Sequence, residues 1–337
     1  MDFELLFEPY TTFEYFDGFS PNLNKHLHLG HLSNLILAKA IQKLGVTKHT
    51  ISILGDTLEG AVKEEDALKK YNDYLSQFDF NVDEVYFASE QKLSNDFLID
   101  GEGDYADTKV FNIDGEKVVG IKSNGSTTYF YQDVALAQVL SAPTLYLTGF
   151  EQNNHFNLLK KLYPDVEHKG LGLVLIKGKK MSSSEGNVYF AEDIIQEVKD
   201  KFDGNEKLAY NVLAGQILKY SLSTVKNINI DELNNVKTSM GLYLSYTMAR
   251  MFSAGIKKEK IDKFSENKLN YYEFKSKYSM EPNCLFNALV ELCKDINGLY
   301  VTHHIKDNPE NQVIFQKLTN DLVHGCEKLG LFIVDKV

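Results

Sequence analysis

The chain has 337 residues, 43% of them hydrophobic and 25% charged, with a formal net charge of −11, so it is long enough for two or three ordinary domains and too acidic for general nucleic-acid binding, although a local basic groove remains open. No apolar run approaches the ~20 residues of a membrane span, and the Met1-Asp2-Phe3-Glu4 start lacks the basic residues of a signal peptide. Cys284, Cys293 and Cys326 have neither disulfide parity nor zinc-site spacing, so reduced thiols, a cytoplasmic protein and no protein-held metal are expected. The apolar run Phe13 to Phe19 predicts a buried strand, and Leu32, Leu35, Ile36 and Leu44 form the stripe of a helix that stops at Gly45. Residues 50–54, Thr-Ile-Ser-Ile-Leu, predict a second strand, which makes a strand–helix–strand unit and hence a parallel sheet. Residues 61–110 are charged and irregular, with a helical patch from Glu64 to Phe78, and read as an insertion over the sheet. Further strands are expected at 118–121, 144–147 and 171–176, and helices at 206–223, 282–300 and 312–330. No repeats are present.

Between the first strand and its helix runs Ser20-Pro21-Asn22-Leu23-Asn24-Lys25-His26-Leu27-His28-Leu29-Gly30-His31. A strand-to-helix junction of an α/β sheet is where ligands bind, and the helix start favours phosphate. Gly30 admits close approach to the backbone, and His28 and His31 can donate to phosphate oxygens. A capped junction with incidental histidines explains the same residues. Further on, Tyr129 and Asp133 are four apart and share a face on a helical turn. An aromatic wall beside a carboxylate suits a planar cation held by paired hydrogen bonds. Taken alone, the pair fits better a surface tyrosine and an acidic residue near a helix N-terminus. The cluster Phe150-Glu151-Gln152-Asn153-Asn154-His155-Phe156 falls at another strand end, where it can line a site, cap a helix, or do both. Lys177-Gly178-Lys179-Lys180-Met181-Ser182-Ser183-Ser184-Glu185-Gly186-Asn187 is a Lys/Ser loop able to fold over a triphosphate, or a solvated surface loop.

Together these stretches resemble the signature blocks of class I aminoacyl-tRNA synthetases. His28-Leu29-Gly30-His31 is similar to their ATP-binding motif, and the loop at 177–187 is similar to their Lys-Met-Ser-Lys-Ser motif. The Ser-Pro-Asn-x-x-Lys lead-in, the Tyr129/Asp133 pair and Gln152/His155 resemble arginyl-tRNA synthetases in particular. Gly55-Asp56 with Gly60 fits a further family block, and Gly241 to Arg250 resembles the opening of the family's anticodon-binding bundle. Ser183 stands where the family-wide motif has its second lysine. Many arginyl enzymes also lack that lysine and carry one before the histidine motif, as Lys25 is here. Gln132 replaces the usual arginine before the aspartate.

The resemblance implies an α/β, Rossmann-like, parallel-sheet nucleotide-binding catalytic domain over 1–236, with an insertion at about 61–115, and a reduced α-helical bundle over 237–337. It implies that His28, His31, Lys25 and Lys180 serve catalysis, and that His28, Gly30, His31, Lys180, Met181, Ser182 and Ser184 bind ATP. Asp17, Ser20, Asn22, Tyr129, Asp133, Gln152 and His155 would bind arginine, with Asp17 where the family tends to have a glutamate. The expected substrates are arginine, ATP with Mg2+, and an arginine-accepting tRNA, used by a monomer. The catalytic strand begins near Phe13, so the family's N-terminal domain for the tRNA elbow is expected to be absent. Two other readings stand beside this one: a synthetase paralogue supplying activated arginine or arginyl-tRNA to another pathway, and a non-catalytic regulator that binds arginine or tRNA.

Overall fold

A computed structural model describes residues 13–22, 26–55, 64–93, 97–180, 189–303, 305 and 308–337. In chain order the elements are β1 (Phe13–Asp17), α1 (Leu29–Leu44), β2 (Thr47–Leu54), α2 (Glu64–Ser76), β3 (Glu84–Phe87), β4 (Ile99–Asp100), β5 (Lys109–Ile113) and β6 (Glu116–Ile121). There follow α3 (Tyr129–Leu140), β7 (Thr144–Gly149), α4 (Asn153–Leu162), β8 (Val166–Leu171), β9 (Val174–Ile176) and β10 (Lys179–Lys180). The rest is α5 (Ala191–Asp200), α6 (Glu206–Leu218), β11 (Lys226–Ile228), α7 (Met240–Ser253), α8 (Asn267–Ser279), α9 (Asn283–Thr302) and α10 (Pro309–Lys328). Among the described residues two compact units are formed, one from 12–26 and 47–171, the other from 27–46 and 172–337.

The first unit is built on five parallel strands in the order β3-β2-β1-β7-β8. Its inner strands are apolar because both faces are covered: Phe16, Ile51, Leu145 and Leu147 are all at most 1% exposed. The chain adds β2 and β3 on one side of β1, then β7 and β8 on the other. The strand order therefore reverses between β1 and β7, and the crevice for a ligand opens at their C-terminal ends. A core of Phe111, Phe130, Val134, Tyr146, Phe156 and Leu159 joins α3 and α4 to the antiparallel β4-β5-β6 sheet. Phe111 and Phe130 meet edge to face at 5.2 Å.

Three sequence expectations change here. The apolar run 171–176 is not one strand, since β8 ends at Leu171 and β9 pairs in a different sheet. β8 itself carries Glu167, His168 and Lys169, and as an edge strand it lacks the apolar run that signals an inner one. β3, inside the stretch read as an insertion, is the opposite edge of the main sheet. β1 stops at Asp17 rather than Phe19, where the backbone leaves the ladder and the Phe19 carbonyl accepts the Ser52 hydroxyl at 2.5 Å.

In the second unit α1 and α5 to α10 accompany a small sheet in the order β10-β9-β11. The expected division between 236 and 237 falls within this unit, because α6 and α7 meet closely at Gly215 and Gly241. A Cβ built on Gly241 would lie 1.9 Å from the Asn211 carbonyl oxygen. Asn211 Nδ2 donates to Ser245 Oγ at 3.1 Å and to the Phe332 carbonyl at 2.8 Å, and its Oδ1 accepts the Phe332 N–H at 2.8 Å. Lys39 of α1 is buried, with its ammonium over the Tyr210 and Phe332 rings at 4.7 and 4.4 Å. The three cysteines are unbridged, and burial pushes the Cys293 thiol up to about 12. No helix among the described residues is long and apolar enough to cross a membrane.

Candidate active site

All seven residues expected to bind the amino acid line one cleft of about 450 Å³ in the first unit. Asp17 ends β1, Ser20 and Asn22 follow it, and Ile53 and Gly55 come from the end of β2. Tyr146 and Thr148 come from β7, Tyr129, Gln132 and Asp133 from the first turns of α3, and Gln152, His155 and Phe156 from the start of α4. The cleft thus sits where the strand order reverses. The Thr128 hydroxyl caps α3 by accepting the Tyr131 N–H at 3.3 Å, which starts the helix at Tyr129 and sets Tyr129 and Asp133 one turn apart. Tyr129 is 58% exposed and forms the rim.

The polar walls are ordered by one another. Asp133 Oδ2 and His155 Nε2 are 2.6 Å apart, a pair that sequence spacing does not show. Asp17 is buried, and its Oδ1 accepts the Ser20 hydroxyl at 2.5 Å. Burial pushes the Asp17 carboxyl up to about 7; the Ser20 hydrogen bond pulls the other way and the Asp133 carboxylate adds to the rise. Thr148 Oγ1 and His168 Nε2 are 2.9 Å apart. Burial, and then the charge of His155, lowers His168 to about 4, so its ring stays neutral behind the cleft and adds no positive charge against a cationic ligand. Gln132, 2% exposed, donates from Nε2 to Thr127 Oγ1 at 3.1 Å.

In the second unit His28 and His31 form the cap of α1. The Gly30 N–H donates to His28 Nδ1 at 3.0 Å, and the His28 N–H donates to His31 Nδ1 at 3.1 Å. The capped junction is therefore present, and it shapes the chemistry. With its Nδ1 accepting, a neutral His28 ring carries its proton on Nε2, the nitrogen with which it could donate to a phosphate. Burial lowers the pKa of His28, which favours its neutral imidazole form. The expected free N–H groups at this helix start are partly committed, since the Leu29 N–H goes to the Tyr189 carbonyl at 3.1 Å and the Gly30 N–H to His28. Lys180 lies in β10, after a tight two-residue turn at Lys177 (φ 48°) and Gly178 (φ 77°). Lys177 pairs with Asp231 at 2.6 Å. Lys25, Asp56, Gly60, Met181, Ser182, Ser183 and Ser184 lie outside the described residues.

No family model matches the chain. Curated relatives include an arginine–tRNA ligase of Limosilactobacillus reuteri, 26% identical over 260 residues that cover 64% of this chain and 46% of the relative. Another is an arginine–tRNA ligase of Streptococcus pneumoniae, 23% identical over 292 residues that cover 71% and 52%. The chain thus spans about half the length of the curated relatives it matches. Among solved structures, Thermus thermophilus arginyl-tRNA synthetase superposes with a TM-score of 0.72 at 14% identity, covering 98% of this chain and 84% of that one. A putative arginyl-tRNA synthetase from Campylobacter jejuni gives 0.73 at 12% identity, covering 97% and 95%. The chain has the arginyl-tRNA synthetase fold.

Within that fold, sequence reading found the residues that recur at motif spacing and missed those that do not. Tyr146 and Thr148 line the cleft without belonging to a motif block singled out as a site, and Gln132 and Phe156 line it from within such blocks without having been named as ligands. Tyr146 and Thr148 are two apart on β7, which puts their side chains on one strand face. That alternation was the available signal, and it is masked because the strand is apolar and buried on both faces.

Proposed function

We propose that this chain activates arginine with ATP and transfers it to the 3′ end of a tRNA. The observation that carries the reading is the cleft: residues far apart in the chain bring two carboxyl groups, an aromatic rim and amide groups to one small pocket, as a guanidinium with an amino-acid head requires. Asp133 takes the guanidinium through paired hydrogen bonds, sharing its Oδ2 with His155, and Tyr129 forms one wall. Asn22 and Gln152 orient the amino-acid head, and Asp17 binds the ammonium or the guanidinium. His28 and His31 donate through Nε2 to ATP phosphates, with Lys25, Lys180 and the Met181, Ser182 and Ser184 loop supplying the remaining contacts. An arginine carboxylate oxygen attacks the α-phosphorus as the bond to the bridging oxygen breaks and pyrophosphate leaves. The ribose hydroxyl of the tRNA end then attacks the carbonyl, and AMP leaves. Alignment and charge stabilisation suffice for both steps.

Among the described residues no group of three or more His, Cys, Asp or Glu could hold a metal ion. Mg2+ is assigned to the ATP phosphates, where it would offset charge. The catalytic work is assigned to 1–236 and tRNA binding in part to 237–337, in a monomer. On α7 of the latter, Arg250 lies between the Tyr246 and Tyr300 rings at 4.9 and 4.7 Å and donates to Asn297 Oδ1 at 2.7 Å, a surface suited to a base or a phosphate. The test is charging of total tRNA with labelled amino acids. Arginine should be accepted and lysine and citrulline should be poor, because neither offers a charged planar fork. Equal or better charging with lysine would overturn the assignment.

A further inference from the structure

Tyr146 lies in β7 at 1% exposure, with its ring 4.8 Å from that of Phe156, and lines the cleft. Its hydroxyl has no hydrogen-bond partner among the described residues. The neighbouring hydroxyl on the same strand face, that of Thr148, is already committed to His168. A desolvated hydroxyl left unpaired is costly, and such a group in a pocket wall points to a partner that arrives with the ligand. The electrostatics agree. Burial first, and then the Asp133 and Asp17 carboxylates, hold the phenol proton on at any ordinary pH. A neutral phenol close to two carboxyl groups has oxygen lone pairs to offer to a cationic donor.

We propose that the Tyr146 hydroxyl is a further recognition group for the cationic head of the substrate, accepting one guanidinium N–H beside the Asp133 carboxylate. This rests on reading the cleft as an arginine pocket. It adds to that reading a residue which sets affinity through an oxygen atom and not through its ring.

Tyr146→Phe removes that oxygen and keeps the ring that packs on Phe156. Calorimetric binding of L-arginine and of agmatine to the full chain, with thermal unfolding of the unliganded protein, tests the idea. A lost hydrogen bond to a charged group should raise both dissociation constants about tenfold or more. The unliganded unfolding midpoint should stay level or rise, because the oxygen removed has no partner among the described residues. The KM for arginine should rise while that for ATP holds. Unchanged affinity in the variant, or a lowered unliganded midpoint, would overturn the inference alone. If the parent protein binds neither arginine nor agmatine, the arginine-pocket reading falls, and the inference falls with it.

Discussion

His28 carries two duties on one ring, and they separate by substitution. Its Nδ1 caps α1 while its Nε2–H is assigned to phosphate. Asparagine is also a good cap but has no group that reaches as far. His28→Ala should therefore cost about 1 kcal/mol of stability as well as activity, whereas His28→Asn should keep the stability and still lose roughly a hundredfold in arginine-dependent pyrophosphate exchange. Thermal unfolding measured beside exchange checks this; full exchange activity in His28→Asn would remove the phosphate role. Asp17 makes a prediction in pH. Its carboxyl moves from 3.8 to about 7 on folding, so between these values the folded state holds a proton that the unfolded state has lost. Stability should then fall as pH rises through that window, and Asp17→Asn should flatten the fall in denaturant midpoint. A bound cation favours the ionised form, so arginine affinity should rise from about pH 6 to 8 with proton release visible as buffer-dependent heat. Affinity that ignores pH would place the ligand's charge away from Asp17.

At the scale of elements, the crossing of α6 and α7 is set by glycine. Any Cβ at Gly241 meets the Asn211 carbonyl, which is backbone and cannot swing aside. Gly241→Ala should destabilise by roughly 1–3 kcal/mol through overpacking, and more if the Asn211 bonds to Ser245 and Phe332 are lost. Gly298 of α9 is the control, since nothing lies within 4 Å of its would-be Cβ. Gly298→Ala should stabilise by up to about 1 kcal/mol through helix propensity. Urea titration of the two variants decides the matter; equal effects would show that the helices can part without cost.

For the whole molecule the governing quantity is the net charge of −11. A protein so acidic engages RNA through few phosphate contacts unless its cations are gathered on one face. The dependence of log affinity for tRNA on log salt should accordingly be shallow, corresponding to a handful of contacts. Filter binding over a range of salt concentrations measures the slope. A steep slope would reveal a basic surface that the composition hides.

The strand at Phe13, the helix from Leu29, the β7 strand and the long C-terminal helices were legible in the sequence, because apolar period and capping residues are local properties. Seven residues of the cleft were legible one by one, through spacings such as that of Tyr129 and Asp133, which a single helical turn enforces, whereas Tyr146 and Thr148 were not. What the tertiary structure alone decided is how they are used. Edge strands β3 and β8 escape an apolar scan because half their surroundings are not core. The pairing of Asp133 with His155, the burial that raises Asp17, the neutral His168 behind Thr148 and the unpartnered Tyr146 hydroxyl all depend on which distant side chains meet at the reversal of the sheet. They depend also on how much water is left there, a quantity that no stretch of sequence carries on its own.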